Sequence, residues 1–189
     1  RELGYNNTAN IQRMMATYYG LITEIDVWVG RILKRLDDLG LTNHTLVVFS
    51  SDHGEMLGSH GMREKNVFYE PSTHVPLILR HPQLIAPGTA VNEAVSHLDM
   101  FATILDYLVG PDDNTTKTYP SDGRSLRSVI EGKNDNNYGD DFVVTMWNYT
   151  DASSNYRVPS APAFMIRKGY WKLMVPGLAS SRKVDMLFD

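Results

Sequence analysis

The change from apolar to polar residues near position 50 constrains the fold more than any other part of the sequence. The β-branched run from Thr45 to Phe49 is typical of a buried strand, and a polar turn with several glycines follows from Ser50 to Gly61. Ligands of open α/β sheets bind outside the carboxyl ends of the strands. We therefore interpret residues 45–50 as a buried parallel strand that delivers Asp52 and His53 to a ligand site.

A long amphipathic helix is predicted before this strand. From Ala9 to Leu39, apolar residues recur at the helical period, and Gly40 supplies the stop. A helix, a short turn and a β-branched strand form one leg of a doubly wound α/β sheet. We expect the apolar stripe to face a core, and it comprises Ile11, Met14, Tyr18, Leu21, Ile22, Ile25, Val29, Ile32, Leu36 and Leu39.

The neighbouring Asp52 and His53 suggest a metal site. They offer one carboxylate and one imidazole, and Gly54 lets the backbone turn sharply enough for both to face a single ion. The alternative is that Asp52 only forms a turn and His53 is a surface histidine, because Asp and Gly are ordinary loop residues. These residues alone leave both interpretations open.

The sequence after this pair carries a family resemblance. Leu57 to Gly61 reads Leu-Gly-Ser-His-Gly, Lys65 follows, and Thr73 to Ile78 reads Thr-His-Val-Pro-Leu-Ile. In this order and spacing, the run resembles the sulfatase family of the alkaline-phosphatase superfamily, in particular iduronate-2-sulfatase-like and bacterial sulfatases. The resemblance implies that residues 1–132 form the C-terminal part of an α/β, doubly wound alkaline-phosphatase-like sheet, and that residues 133–189 form a small antiparallel β subdomain.

The resemblance also implies a divalent cation, expected to be Ca²⁺, with Asp52 and His53 as two of its ligands. In the family, the other ligands include an acidic pair near the N-terminus and a formylglycine nucleophile made from the Cys or Ser of a Cys/Ser-x-Pro-x-Arg motif. This sequence has no cysteine, and none of its serines begins such a run. We therefore expect the chain to be the C-terminal portion of a longer enzyme, with formylglycine in the preceding part.

Two further residues are candidates for substrate contacts. Lys65 corresponds to the family's sulfate-contacting lysine, whose ammonium binds a sulfate oxygen and stabilises or protonates the departing oxygen. The alternative is that residues 63–65 are three solvated charges. His60 is a candidate substrate contact or a structural histidine, and His74 is expected to anchor the loop by pairing with Glu70.

The remaining elements are predicted from local patterns. A loop without a clear period is expected over 54–73, and loops this long are uncommon unless they carry function. A strand is expected over 75–80, a second short strand over 91–95, a helix capped by Asp99 and ended by Gly110, and a short helix ending at Gly132. The subdomain is expected to contain strands at 142–147, 163–167, 171–175 and 186–188, with a tight hairpin at 168–170.

Composition and short motifs limit the possible binding partners and cellular compartments of the protein. The net charge of −4 argues against a nucleic-acid partner, and no apolar stretch is long enough to cross a bilayer. Acceptor patterns for N-glycans, which matter only in a secretory route, occur at Asn6, Asn43, Asn114 and Asn148. We expect a secreted, lysosomal or periplasmic protein whose signal peptide is not in this sequence.

The leading hypothesis is a sulfuric ester hydrolase that acts on a sulfated carbohydrate or a related sulfate ester. One alternative is a phosphonate or phosphodiester hydrolase of the same superfamily, which shares the Asp-His pair and the lysine. Another alternative is a non-catalytic, sulfatase-like binding module. A Cys-x-Pro-x-Arg element upstream would distinguish an enzyme from a module.

Overall fold

A computed structural model of the protein describes residues 8–110, 121–133, 142–147, 162–175 and 186–188. The chain divides into two compact units, Arg1–Ile85 and Ala86–Asp189. The expected domain boundary between residues 132 and 133 stays a prediction.

The first unit begins with helix α1, Thr8–Asp38, which confirms the predicted long helix. Gly40 ends it with a left-handed φ of 69°. The Leu41 N–H donates to the Leu36 carbonyl at 2.9 Å, and the Gly40 N–H donates to the Asp37 carbonyl at 3.0 Å. This pair of bonds is the helix ending that a glycine in the left-handed region favours.

The apolar stripe of α1 is not packed in a core formed by the described residues. The helix has no buried residue, and Ile25, Trp28 and Ile32 are all more than half exposed. The expectation that the stripe faces a core is therefore wrong for this part of the chain. Its 31 residues exceed the length of about 12 to 15 below which an isolated helix is marginal. No helix in the described ranges is both long and apolar enough to span a membrane.

Strand β1, Val47–Ser50, pairs with strand β2, Leu77–Arg80. The two strands are antiparallel, with Val47 opposite Arg80 and Ser50 opposite Leu77. The predicted parallel neighbour is therefore absent from the described residues, and Phe49 and Ser50 are exposed rather than buried. The connection after β1 is a compact loop that returns the chain beside the same strand, so the end of β1 lies next to the start of β2.

The connection is more ordered than the predicted loop over 54–73. It contains a 3₁₀ turn at Ser59–Gly61 and helix α2, Glu70–Thr73. Met56 is completely buried within it. The Met56 N–H donates to the Glu64 carbonyl at 2.9 Å, and the Gly58 N–H donates to the Met62 carbonyl at 2.8 Å. The buried Met56 side chain and these backbone hydrogen bonds thus give the loop a fixed shape.

The second unit begins with helix α3, His97–Val109, where the cap differs from the prediction. Ser96 is the N-cap, and Asp99 is the third helical residue of a capping box. The Asp99 carboxylate accepts the Ser96 N–H at 2.8 Å. Ser and Asp are both good cap residues, so residue type does not decide between Ser96 and Asp99. The reciprocal bond between them does. Gly110 ends the helix as predicted.

The segment over 91–95 is not a strand. It lacks a partner strand in the described part of the chain, and an apolar pattern without a neighbour to pair with does not form a ladder. Helix α4, Arg127–Ile130, is shorter than the predicted helix. Its preceding segment is tied to α3, because Asp99 accepts the Arg124 N–H at 2.9 Å and Thr103 Oγ accepts the Leu126 N–H at 2.8 Å.

A four-stranded antiparallel sheet completes this unit and confirms the predicted antiparallel subdomain. Its order is β3-β4-β5-β6, and the hairpin turn between β4 and β5 contains Gly169 with a φ of 56°. Met165 and Met174 lie opposite each other across β4 and β5, and both are buried. The strands are β3 Phe142–Trp147, β4 Ala163–Lys168, β5 Trp171–Val175 and β6 Met186–Phe188.

Candidate functional site

Asp52 and His53 leave the end of β1 with their side chains on the same side. The His53 backbone N–H donates to Asp52 Oδ1 at 3.0 Å, and the Ser51 hydroxyl donates to the His53 carbonyl at 2.7 Å. These bonds close a tight turn in which His53 Nε2 lies 3.3 Å from Asp52 Oδ2. The structure therefore brings this predicted pair together.

The imidazole orientation bears on what the pair can bind. His53 Nδ1 lies 2.8 Å from the Gly54 carbonyl oxygen, which can only accept, so Nδ1 carries the proton. In the neutral ring, Nε2 then has a lone pair directed at a carboxylate oxygen. A proton or a cation completes such a contact, and one nitrogen beside carboxylate oxygens is a donor set that divalent metals take.

The Asp52 carboxylate is anionic and accessible. Its side chain is 83% exposed. The hydrogen bond from the His53 backbone N–H is the largest cause that holds the pKa of Asp52 below its ordinary value of 3.8. Desolvation opposes it, and electrostatic interactions with His53 and Lys65 lower the pKa further. The interaction with Lys65 is the smallest of these causes.

Gly54 is required for a reason other than the predicted sharp turn. Its N–H donates to the Ser72 carbonyl at 2.8 Å. A Cβ on Gly54 would lie 1.9 Å from the Pro71 carbonyl oxygen. The glycine thus permits a close backbone approach between the segment after β1 and helix α2.

The backbone around Lys65 is fixed by two neighbouring residues. Glu55 Oε1 accepts the Glu64 N–H at 2.7 Å and the Leu57 N–H at 3.2 Å. The Ser72 hydroxyl donates to the Lys65 carbonyl at 2.6 Å. The Lys65 side chain itself is exposed, so an anchored backbone carries a mobile ammonium group.

His60 has a different setting from the other candidates. Its φ of 55° is left-handed, as are those of Leu57 and Glu64 in the same loop. Non-glycine residues in this region cost about 1 to 3 kcal/mol each and persist where surrounding contacts hold them. The imidazole stacks on Tyr69, with ring centroids 4.2 Å apart and an interplanar angle of 18°. His60 therefore belongs to an aromatic pair in the loop.

The predicted pairing of His74 with Glu70 is confirmed, since Nδ1 of His74 lies 3.3 Å from Oε2 of Glu70. Asn43 is exposed in the turn Thr42–His44, where an acceptor asparagine is accessible. The other acceptor asparagines lie outside the described residues, namely Asn6, Asn114 and Asn148.

The ligand set for a metal is small in the described ranges. They contain no group of three or more His, Asp or Glu side chains that could hold a metal ion. Asp52 and His53 fit a cation by chemistry and geometry, but Ca²⁺ takes about six to eight oxygen ligands. A complete site with this pair would need further ligands from elsewhere.

The sequence patterns did not predict a role for three residues of the site, namely Glu55, Tyr69 and Ser72. Each acts across the loop rather than at a helical or strand period, so no periodic pattern marks it. The available signal was the length of the segment itself, because long connections in compact domains are usually functional.

Two family profiles match the chain. A profile described as Sulfatase matches residues 2–111. A second profile, described as N-sulphoglucosamine sulphohydrolase, C-terminal, matches residues 58–178. Together they cover both compact units and include the run of motifs after β1.

Individual proteins are also similar to it. Arylsulfatase K from Xenopus laevis is 31% identical over 86% of this chain and 29% of its own length. An arylsulfatase from Clostridium perfringens is 31% identical over 86% of this chain and 33% of its own length. The chain thus spans about a third of the length of these relatives.

Among solved structures, a phosphonate monoester hydrolase from Silicibacter pomeroyi superposes with a TM-score of 0.81 at 30% identity. The match covers 99% of this chain and 37% of that chain. This likeness confirms the expected α/β fold class, an alkaline-phosphatase-like sheet portion followed by a small antiparallel subdomain.

Proposed function

Because the chain belongs to the sulfatase family, we propose that it is the C-terminal portion of a sulfuric ester hydrolase. The substrate is a sulfated carbohydrate or a related sulfate ester. The observation that carries this proposal is the Asp52–His53 pair at the end of β1. Ser72 links this segment to Lys65, because its carbonyl accepts the Gly54 N–H and its hydroxyl donates to the Lys65 carbonyl. The sugar class is supported by the family description N-sulphoglucosamine sulphohydrolase, C-terminal.

Asp52 and His53 are proposed ligands of a divalent cation. Members of the family are generally metal-dependent. We assign Ca²⁺ from the resemblance to the family, and the Asp52 carboxylate supplies oxygen ligands of the kind that this ion prefers. When bound, the cation would neutralise the charge of the sulfuryl oxygens. Asp52, through its carboxylate, and His53, through Nε2, would hold the cation. We expect formylglycine and the remaining ligands in another part of the protein.

Lys65 is the proposed catalytic residue of this chain. Its ammonium binds a sulfate oxygen and stabilises or protonates the oxygen of the departing alcohol. Lysine suits this role as a compact charge on a flexible stem. The hydrogen bonds that Ser72 makes to the Lys65 carbonyl and to the Gly54 N–H support a shared site.

His60 is the proposed substrate contact. Its ring is exposed and supported from one side by Tyr69. A flat aromatic surface of this kind suits the apolar C–H face of a sugar ring, while the ring nitrogens can bond to hydroxyl groups.

A phosphonate monoester hydrolase is the second candidate. The specific observation in its favour is the TM-score of 0.81 at 30% identity to such an enzyme. The same pair and lysine can bind a phosphonate, since both anions present several oxygens to one cation.

The test compares both substrates in the intact protein. Hydrolysis of an aryl sulfate and of an aryl phosphonate is measured with and without a divalent-metal chelator. We expect aryl sulfate turnover to dominate, to stop with the chelator, and to return when Ca²⁺ is added. Faster phosphonate hydrolysis favours the second candidate, and hydrolysis of neither substrate by the metal-loaded protein favours the binding module.

Lys65→Ala extends the same assay. We expect turnover to fall by about two to three orders of magnitude with metal content unchanged, since one preorganised charge is removed. Arg31→Ala on the exposed face of α1 removes a cation elsewhere and is the matched control. Turnover equal to that of the control would show that Lys65 is only a solvated charge.

Export from the cytoplasm is proposed as well, with a secreted, lysosomal or periplasmic destination. It is supported by the exposed acceptor at Asn43. In a eukaryotic source, treatment with an endoglycosidase should increase the mobility of the purified protein, and Asn43→Gln should reduce that change.

A further inference from the structure

Ser72 contacts both parts of the proposed site. Its side chain lies in α2 and is only 4% exposed. Its hydroxyl donates to the Lys65 carbonyl at 2.6 Å. Its own carbonyl accepts the N–H of Gly54, the residue after His53, at 2.8 Å. One buried residue thus joins the segment of the proposed metal ligands to the segment of the proposed catalytic lysine.

We propose that Ser72 is a positioning residue that fixes the Lys65 backbone relative to the Asp52–His53 pair during sulfate-ester hydrolysis. The inference rests on the proposed function of Lys65. It adds a residue that touches neither substrate nor metal and acts through Lys65.

The Lys65 carbonyl is anchored from two sides. It accepts two bonds, one from the Ser72 hydroxyl and one from the Val67 N–H at 2.8 Å. Rotation of this peptide would break both bonds and leave a buried hydroxyl unpaired, which costs about 1 to 3 kcal/mol. The Lys65 stem is flexible, so the origin of the stem determines which positions the ammonium reaches.

Ser72 contacts the His53 segment through its backbone. Gly54 approaches α2 so closely that a Cβ would overlap the Pro71 carbonyl oxygen. The backbone bond from Gly54 to Ser72 therefore holds the two segments at van der Waals distance. Ser72 contacts the Lys65 segment through its side chain and the His53 segment through its backbone, so a side-chain substitution separates the two effects.

The size of the effect follows from geometry. A displacement of about 1 Å at a reacting group can lower the rate about a hundredfold. Loss of the Ser72 hydroxyl frees one of two anchors of the Lys65 carbonyl, while Glu55 still holds the neighbouring Glu64 N–H at 2.7 Å. We therefore expect a partial effect, smaller than removal of the ammonium itself.

A double-mutant cycle in the intact protein tests this. Ser72→Ala should lower kcat for an aryl sulfate about tenfold to a hundredfold, with KM and divalent-metal content nearly unchanged because the backbone bond to Gly54 remains. In the Lys65→Ala background, Ser72→Ala should have no further effect on kcat, because the ammonium group through which Ser72 acts is absent. Equal fold losses in both backgrounds would overturn the inference.

A second readout does not depend on activity. Hydrogen exchange at the Val67 amide should be faster in Ser72→Ala, since its acceptor carbonyl has lost an anchor. Unchanged exchange at Val67 contradicts the proposed anchoring. If Ser72→Ala does not fold, Ser72→Cys is used instead, because it retains most of the side-chain volume with a weaker donor. Its kcat should lie between those of the wild type and Lys65→Ala, and a wild-type kcat counts against the inference.

Thr103→Val is the matched control. Thr103 is likewise a buried hydroxyl, bonded to Leu126 N–H and to the Asp99 carbonyl at 2.6 Å. It should lose stability without changing kcat, whereas Ser72→Ala changes kcat. A Ser72→Ala protein that behaves like this control is explained by stability alone and sinks the inference. If Lys65→Ala itself leaves kcat unchanged, the proposed function of Lys65 fails and the inference fails with it, so the two failures give different results.

Discussion

The ionisation of Asp52 shows how one backbone bond prepares a residue for a cation. The His53 N–H bond is the largest cause of its lowered pKa, ahead of the charges of His53 and Lys65. A carboxylate that stays ionised at low pH remains a competent ligand over a wider range. Because the cause is the backbone, side-chain substitutions nearby should leave most of the effect in place.

This leads to a titration prediction. Carbon NMR of the Asp52 carboxyl group should give a pKa below 3.8 in the protein, and His53→Ala should leave it below that value. Since the folded-state pKa is lowered, any stability from this carboxylate is present above the unfolded-state pKa. It is lost as the pH falls through the folded-state pKa. An Asp52 pKa of 3.8 or higher in the His53→Ala protein would show that the backbone bond is not the main cause.

The sequence predicted the contacts between side chains that are close together along the chain. Asp52 and His53 are adjacent, so their convergence on one point was predictable, and the pairing of Glu70 with His74 follows from helical spacing. Ser72 and Glu55 were missed because their bonds cross a loop without a period. Residue type carried no signal there, and the contacts depend on how the loop closes.

Among the helices and strands, too, local features were predictable and features that depend on distant contacts were not. Helix α1, its Gly40 ending and the β4–β5 hairpin were predicted because their signals are local. The direction of the β1 neighbour and the absence of a strand over 91–95 depend on which strand lies alongside. The choice of Ser96 over Asp99 as the N-cap depends on a reciprocal bond that both residues were able to make.

Glycine substitutions test the close approach of the two segments of the site. Gly54→Ala should destabilise the protein by about 1 to 3 kcal/mol, because the new Cβ overlaps a backbone carbonyl that cannot move without shifting α2. Urea unfolding of the intact protein measures the change. Gly20→Ala is the control, since nothing lies within 4 Å of its Cβ, and alanine in a helix should raise stability by about 0.5 to 1 kcal/mol. Equal stabilities of the two variants would contradict the close approach.

For the whole molecule, two features have the same implication. The described residues leave the apolar face of α1 unburied, and they contribute only Asp52 and His53 to the proposed metal site. Residues Leu21, Ile25 and Trp28 are each more than half exposed on one helix, and exposed apolar patches promote association. Asp52 with His53 is too small a set to hold Ca²⁺ tightly. Both features suit a chain that functions together with further polypeptide.

The isolated 189-residue chain should therefore be inactive and prone to self-association. We expect no metal-dependent hydrolysis of an aryl sulfate, and sedimentation should show species larger than a monomer. Trp28→Lys combined with Ile25→Lys should reduce the association, whereas Lys substitutions at the polar positions Gln12 and Thr23 should not. Measurable, metal-dependent hydrolysis by the chain alone would overturn the view that part of the site lies elsewhere.

The central claim is that Asp52 and His53 hold the divalent cation of a sulfatase. The most direct measurement is the metal content of the intact protein, determined on purified wild type, Asp52→Ala and the control Asp26→Ala, which removes an exposed carboxylate of α1. We predict loss of the ion and of aryl sulfate turnover together in Asp52→Ala, a smaller loss of occupancy in His53→Ala, and wild-type behaviour of Asp26→Ala. Full metal occupancy in the Asp52→Ala protein would contradict the claim.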